Sequence, residues 1–152
     1  MEVVLGVNVA KTTAYCAMVA RGILVDTEPL KLEITPGLSD SAGLQKLSDD
    51  IERLVKEHAI EAIVVVSPEN KYDGPYTALA PRVAVETAIL IGGARAGIRA
   101  ERASRPDVRA KLGLPKSGKL SDHSRIIFPA GGSMWSNKRD IAALGAMSRR
   151  GL

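Results

Sequence analysis

The spacing of apolar positions changes several times along the chain, and each change marks an element. Glu2 to Ala10 is a nearly continuous apolar run, and Thr13 to Ala20 is a second, joined through Lys11-Thr12. Two such runs around a short polar turn predict a buried hairpin. Ile23 to Ile34 is apolar and β-branched but broken by Pro29, which predicts a third strand with an edge-type irregularity. Pro36 to Ser41 is a loop ending in an N-cap. Leu44, Leu47, Ile51, Leu54 and Val55 then recur at helical spacing as far as His58. Ile60 to Val66 is short and β-branched, so it is expected to be a fourth strand buried on both faces and parallel to the first, with the preceding helix as crossover. A polar loop, Ser67 to Pro75, carries Glu69 and Asp73, and an apolar helix follows over Ala78 to Ala94, with Gly92-Gly93 allowing close packing or a bend. Ile98 to Ser104 reads as a fifth strand. Arg105-Pro106 opens a short helix that Gly113-Leu114-Pro115 stops, and Lys116 to Lys119 is a basic loop. Ser121 to Phe128 reads as a short helix. Ser136 or Asn137 is expected to cap a last helix, Lys138 to Arg149, with Ile141, Leu144 and Met147 turned inward.

This order is α/β, with an antiparallel half of the sheet before a parallel half. At 152 residues, 45% hydrophobic and 25% charged, the chain suits one globular domain over 1–152 and is too apolar for disorder. Apolar runs such as Ala62 to Val66 fall far short of the roughly 20 residues of a membrane helix, and the N-terminus lacks a basic region before an apolar one. Neither a membrane span nor a secretion signal is expected. The lone Cys16 has no partner for an internal disulfide or a zinc site, which fits a cytoplasmic location. Five aromatic residues are too few for binding single strands by repeated base stacking. Charge is divided unevenly: residues 1–94 hold 8 Lys/Arg against 13 Asp/Glu, and residues 95–152 hold 13 against 4. A polyanion would sit on the second half, although a solvated basic face has the same composition.

Sites in open α/β sheets lie at the carboxyl ends of strands. Asn8 ends the first strand, Glu69 follows the fourth, and Asp140 stands in the first turn of the last helix. Leu5-Gly-Val-Asn-Val-Ala10 with Thr12 or Thr13 following, Val66-Ser-Pro-Glu69 ahead of the Ala/Gly-rich stretch 84–97, Arg105 to Gly113 with Lys116 and Lys119, and Asn137 to Gly145 together resemble the RuvC-type Holliday-junction resolvases. The resemblance implies a ribonuclease H-like fold, with a five-stranded mixed sheet, strands 1–3 antiparallel, flanked by helices. It implies an endonuclease that cleaves four-way DNA junctions with two Mg²⁺ ions, Mn²⁺ substituting, and that acts as a homodimer, since a junction offers two equivalent scissile strands. It makes Asn8, Glu69, Asn137 and Asp140 the catalytic positions, with Asn8, Glu69 and Asp140 as metal ligands. Arg105, Arg109, Lys116, Lys119, Lys138 and Arg139 become the DNA contacts.

The acidic pattern is incomplete. Two Mg²⁺ ions about 3.5–4 Å apart need anionic oxygen ligands. Asn8 offers a neutral oxygen where the family has Asp, Asn137 stands where an earlier ligand belongs, and Asp73 is a stand-in. Asn8 is either an engineered Asp→Asn change or the mark of a natural member that keeps the fold without cleavage. The chain as given is expected to bind DNA and cleave it slowly or not at all; the alternative is a natural non-catalytic DNA-binding or scaffold protein. Each residue also has a plain structural reading: Asn8 as a turn former, Glu69 solvated, Asp140 satisfying the helix macrodipole, and Asn137 as a cap. His58 suits a helix C-terminus, and His123 is ambiguous. Lys116-Ser-Gly-Lys119 lacks the glycine spacing and the preceding strand of a phosphate loop. A sugar- or acetate-kinase-like ATPase also opens on a hairpin, but its length and second phosphate motif are missing.

Overall fold

The computed structural model describes residues 2–25, 28–68 and 75–149. The hairpin of β1 (Val3–Ala10) and β2 (Thr13–Ala20) forms as expected, in the register Val3↔Ala20 to Ala10↔Thr13. β1 also pairs in parallel with β5 (Ala62–Val66), and β5 with β6 (Arg99–Ala103), so β1 lies inside the sheet. Among the described residues the sheet has six strands in the order β3-β2-β1-β5-β6, with β4 paired to the same edge of β2 as β3. The expected single strand over Ile23 to Ile34 is two short ones, β3 (Ile23–Val25) and β4 (Lys31–Glu33). Pro29 lies between them after a cis Glu28–Pro29 peptide, and its missing N–H cannot serve a ladder.

Strand alternation places β1 side chains in two cores. Val3, Leu5, Val7 and Val9 pack with Leu47, Ile51 and Leu54 of α1 (Asp40–His58) and with Val85, Ala88 and Ile89 of α2 (Tyr76–Arg95). Val4 packs on the other face with Val108 of α3 (Arg105–Leu112) and with Ile141 and Leu144 of α5 (Asp140–Ser148). α1 is capped by Ser39, whose Oγ accepts the Ala42 N–H at 3.3 Å; the cap therefore lies two residues earlier than Ser41. α2 has the length and mean hydropathy, 1.2, of a membrane span, yet it buries Val85, Ala88 and Ile89 in the core and carries a buried Glu86 paired with Arg82 and Arg102.

The approach of α5 to the sheet positions the site. A Cβ on Gly6 would lie 1.7 Å from the Ala142 carbonyl oxygen, and one on Gly145 would lie 2.4 Å from Val66 Cγ2. Glycine at both contacts lets the helix rest directly on β1 and β5. Position 8 falls on the same face of β1 as position 6, so Asn8 is directed at the N-terminus of α5. The segment read as one helix over Ser121 to Phe128 is a 3₁₀ turn, Leu120–His123, followed by a single helical turn, α4 (Ser124–Ile127). The last helix starts at Asp140, after a π-type turn over Trp135–Arg139 in which Asn137 adopts φ 58°. Neither Ser136 nor Asn137 caps it.

Candidate functional site

Asn8 is 2% exposed at the carboxyl end of β1, where it pairs with Val66 of β5 and Tyr15 of β2. Its Nδ2 donates to the carbonyls of Asn137 at 3.3 Å and Lys138 at 3.1 Å. The N–H of Lys138 donates to Asp140 Oδ1 at 3.1 Å, and the Ile141 N–H donates to the same oxygen at 2.7 Å. Asp140 Oδ2 accepts the hydroxyl of Ser121, whose Oγ accepts the Asn137 N–H at 3.0 Å. The side chains of Asn8 and Asp140 thus meet the backbone of Asn137 in a closed network, and Asn137, itself exposed, takes part through its carbonyl and N–H. A β1 amide holds two carbonyls of the turn, an α5 carboxylate holds its Lys138 N–H, and Ser121 links that carboxylate to the Asn137 N–H. Met134 at φ 48° and Asn137 at φ 58° give the turn two non-glycine residues in the left-handed region, a conformation held only where surrounding contacts fix it.

Glu69 and Asp73 lie outside the described residues. Among the described residues, no group of three His, Cys, Asp or Glu side chains stands close enough together to hold a metal ion. The described donor set toward a metal is one neutral amide oxygen, Asn8 Oδ1, which is buried and unpartnered, and one fully buried carboxylate whose two oxygens already accept hydrogen bonds. The Asn8 NH₂ also faces two carbonyls with its protons. A centre for two dications needs several anionic oxygens free to ligate, and among the described residues this site supplies one carboxylate.

The six basic candidates divide by what they touch. Lys116, Lys119 and Lys138 are exposed, and Lys138 Nζ sits 5.8 Å above the centre of the Tyr15 ring. Arg105 is half-buried and donates through Nε to the Ser67 carbonyl at 3.1 Å, fastening α3 to the end of β5. Arg139 is fully buried: its Nε donates to the Cys16 carbonyl at 2.7 Å and its Nη1 to the Ser133 carbonyl at 2.9 Å. This corrects the expectation of a DNA contact at Arg139, which instead ties β2 to the turn. Arg109 Nη1 donates to the carbonyls of Pro115 at 2.9 Å and Ser117 at 3.2 Å, and Nη2 to that of Gly118. Its guanidinium therefore holds the basic loop instead of pointing away from it. Four further cations of the basic half are paired with acids: Arg95 with Asp49 and Glu52, Arg102 with Glu86, Lys111 with Asp107, and Arg149 with Glu101 and Asp107.

Three groups among the described residues have perturbed protonation, one being the Arg149 guanidinium, which, despite its desolvation by burial, is raised by its hydrogen bonds to the Asp107 and Glu101 carboxylates. The hydrogen bond from Arg149, with its charge and that of Lys111, holds the Asp107 carboxyl below the usual carboxylate range despite some desolvation. Burial pushes the Cys16 thiol up to about 12, with Arg139 only partly opposing the rise. Cys16 is therefore an inert core residue. Ser121 had no signal in the sequence, since a serine in a short polar segment has many ordinary uses.

The mixed sheet, its strand order and the placing of α5 across β1 define a RuvC-type, ribonuclease H-like fold. The chain superposes on the RuvC of Thermus thermophilus in complex with a Holliday junction substrate, with a TM-score of 0.74 and 15% identity over 97% of this chain and 92% of that one. A second Thermus thermophilus RuvC structure gives 0.73 at 16% identity over 96% and 92%. The yeast mitochondrial Holliday junction resolvase gives 0.57 at 9% identity over 95% and 76%. No protein-family model and no curated protein sequence matches the chain.

Proposed function

We propose that this protein binds branched DNA on a resolvase fold whose cleavage centre has been replaced by a hydrogen-bonded latch. The observation that carries the reading is the Asn8 amide, which donates to the Asn137 and Lys138 carbonyls. An ionised aspartate has no proton to give there, so the amide fills a role that the acid at this position of a nuclease could not. This supports Asn8 as native. The latch fixes the turn that carries Lys138, and the exposed cations Lys116, Lys119 and Lys138 supply the charge that attracts a DNA backbone. Two copies bound symmetrically would match the two-fold character of a four-way junction.

A second reading, slow Mg²⁺- or Mn²⁺-dependent nicking of the same junctions, draws on the unpartnered Asn8 Oδ1 and on the place of Glu69 in the sequence. One experiment separates the two. Four-way junctions are incubated with the protein and Mg²⁺ or Mn²⁺, and binding and strand cleavage are followed together. Tight binding without nicking, unchanged by Glu69→Gln, supports the latch. Metal-dependent nicking that Glu69→Gln and Asp140→Asn abolish establishes the nuclease. Affinity that does not fall as salt rises overturns DNA binding altogether.

A further inference from the structure

Pro106, Arg109, Ala110 and Gly113 recur at i, i+3, i+4 and i+7, so they share one side of α3, while Val108 on the other side is buried in the core. Beyond Gly113 the chain folds back, and Leu114, Lys116 and Gly118 complete a groove of about 730 Å³. Sites that take small molecules occupy about 300–1,000 Å³. The far wall is a braced loop. Arg109 holds three of its carbonyls, His123 Nε2 lies 2.6 Å from the Ser117 oxygen, and Asp122 Oδ2 accepts the Lys119 N–H at 2.9 Å. Gly113 at φ 65° and Gly118 at φ 75° make the two bends that the fold-back requires. Pro106, Ala110 and Leu114 give the groove an apolar lining, Lys116 stands exposed at its edge, and no acidic residue is among the described residues that line it. An apolar floor with a cationic edge is complementary to a nucleotide, which has an apolar face and an anionic phosphate.

We propose that this groove takes a single unstacked nucleotide of a branched DNA strand, with its base against Pro106, Ala110 and Leu114 and its phosphate at Lys116. Arg109 is a positioning residue: it shapes the groove by holding the loop. Branch points supply the ligand cheaply, because an already unpaired base costs least to extrude. This inference rests on the branched-DNA reading above and adds the part of the substrate that is recognised.

The test compares two four-way junctions that differ at one unpaired nucleotide at the branch, one bearing a base and the other abasic, by fluorescence anisotropy over a salt series. The protein should bind the base-bearing junction roughly 10-fold more tightly, the gain expected from burying about 55 Å² of apolar base surface against these side chains. Ala110→Trp, which fills the groove from an exposed helical position, should bring that ratio close to one. Arg109→Lys keeps the charge but cannot hold three carbonyls in one plane, so it should reduce the ratio while leaving the salt dependence in place. It also serves if Ala110→Trp does not fold. Tight, salt-sensitive binding with no preference for the base, or a preference that survives both substitutions, overturns the groove and leaves DNA binding standing. Failure to bind either junction overturns DNA binding and the groove with it.

Discussion

Asn8→Asp is the substitution that distinguishes a latch from a disabled metal site, and the two accounts differ in sign. The structure puts the Asn8 NH₂ within 3.3 and 3.1 Å of two backbone carbonyls, in a side chain that is 2% exposed. An ionised carboxylate there presents oxygen to oxygen, leaves both carbonyls without this donor and lies beside the buried Asp140. Each unsatisfied buried group costs about 1–3 kcal/mol, so two cost roughly 2–6 kcal/mol. Protonating the introduced carboxyl would recover one donor, but at pH 7 that costs roughly 4 kcal/mol for a group with an unfolded pKa of about 3.9, so the ionised form sets the expectation at neutral pH, about 3 kcal/mol within that range. For a domain of this size that lowers Tm by roughly 6–12 °C. Because the folded state favours the protonated form, the folded-state pKa of the introduced carboxyl lies above its unfolded value of about 3.9. The protonation-linked contribution is present in full below the unfolded value and is lost as pH rises through the folded one, so the deficit should be smaller at pH 4 than at pH 8. Urea denaturation of both proteins at the two pH values, with and without Mg²⁺, is the assay. An Asn8→Asp protein that is as stable as the parent at pH 8, gains stability on adding Mg²⁺ and nicks junctions would refute the reasoning, because position 8 would then be a ligand position.

Gly6→Ala should destabilise the protein by at least about 3 kcal/mol or prevent folding, since the added Cβ would meet the Ala142 carbonyl oxygen at 1.7 Å; a urea midpoint within error of the parent would show that α5 can move away cheaply. Asp107→Asn should lower stability at pH 7 and converge with the parent as pH falls through the carboxyl's lowered folded-state value. Arg149 holds the Asp107 carboxyl low, so its contribution is present above the unfolded value of about 3.9 and lost as pH falls. The 42% exposure of that side chain keeps the effect below about 1 kcal/mol, and equal urea midpoints at pH 7 would exclude it. Cys16, 1% exposed with a thiol raised to about 12, should resist a thiol reagent at pH 8 until urea unfolds the chain; rapid native labelling would contradict its place in the core.

The strands and main helices were legible because their periods are set by burial. The run over Ile60 to Val66, short and β-branched, reads as an interior strand, and the apolar repeat from Leu44 to Val55 as a one-faced helix, and both form. Legibility failed where a side chain's partner is distant in sequence. Arg139, between Lys138 and Asp140, has the composition of a surface helix start, yet its guanidinium reaches the Cys16 carbonyl 123 residues away. Arg109 was recognisable as basic, but the carbonyls that occupy it belong to a loop conformation set by Gly113 and Gly118. The cap of the last helix was missed for the same reason. Asp140 takes the N–H groups of Lys138 and Ile141 itself, and the turn before it bends in a way that a helical period does not encode.

The site was partly legible because a ligand set and a latch use side chains of the same shape in the same order. A strand-end residue with a planar carboxyl or amide group, directed at a helix start that carries an aspartate, describes both. What separates them is the direction of the protons. Carboxylates at both places would face one another as acceptors and need cations between them. An amide at position 8 turns donors toward the backbone of the turn, and Asp140 then has the Ser121 hydroxyl and two N–H groups in place of a cation. Replacing one acceptor with a donor thus removes the repulsion that a metal otherwise offsets, while Gly6 and Gly145 keep the same close approach of helix to sheet. The latch bears on the same turn and the same strand end that a metal centre would join, so the proposed loss of the metal is compatible with the fold, and Lys138 stands exposed beside Tyr15.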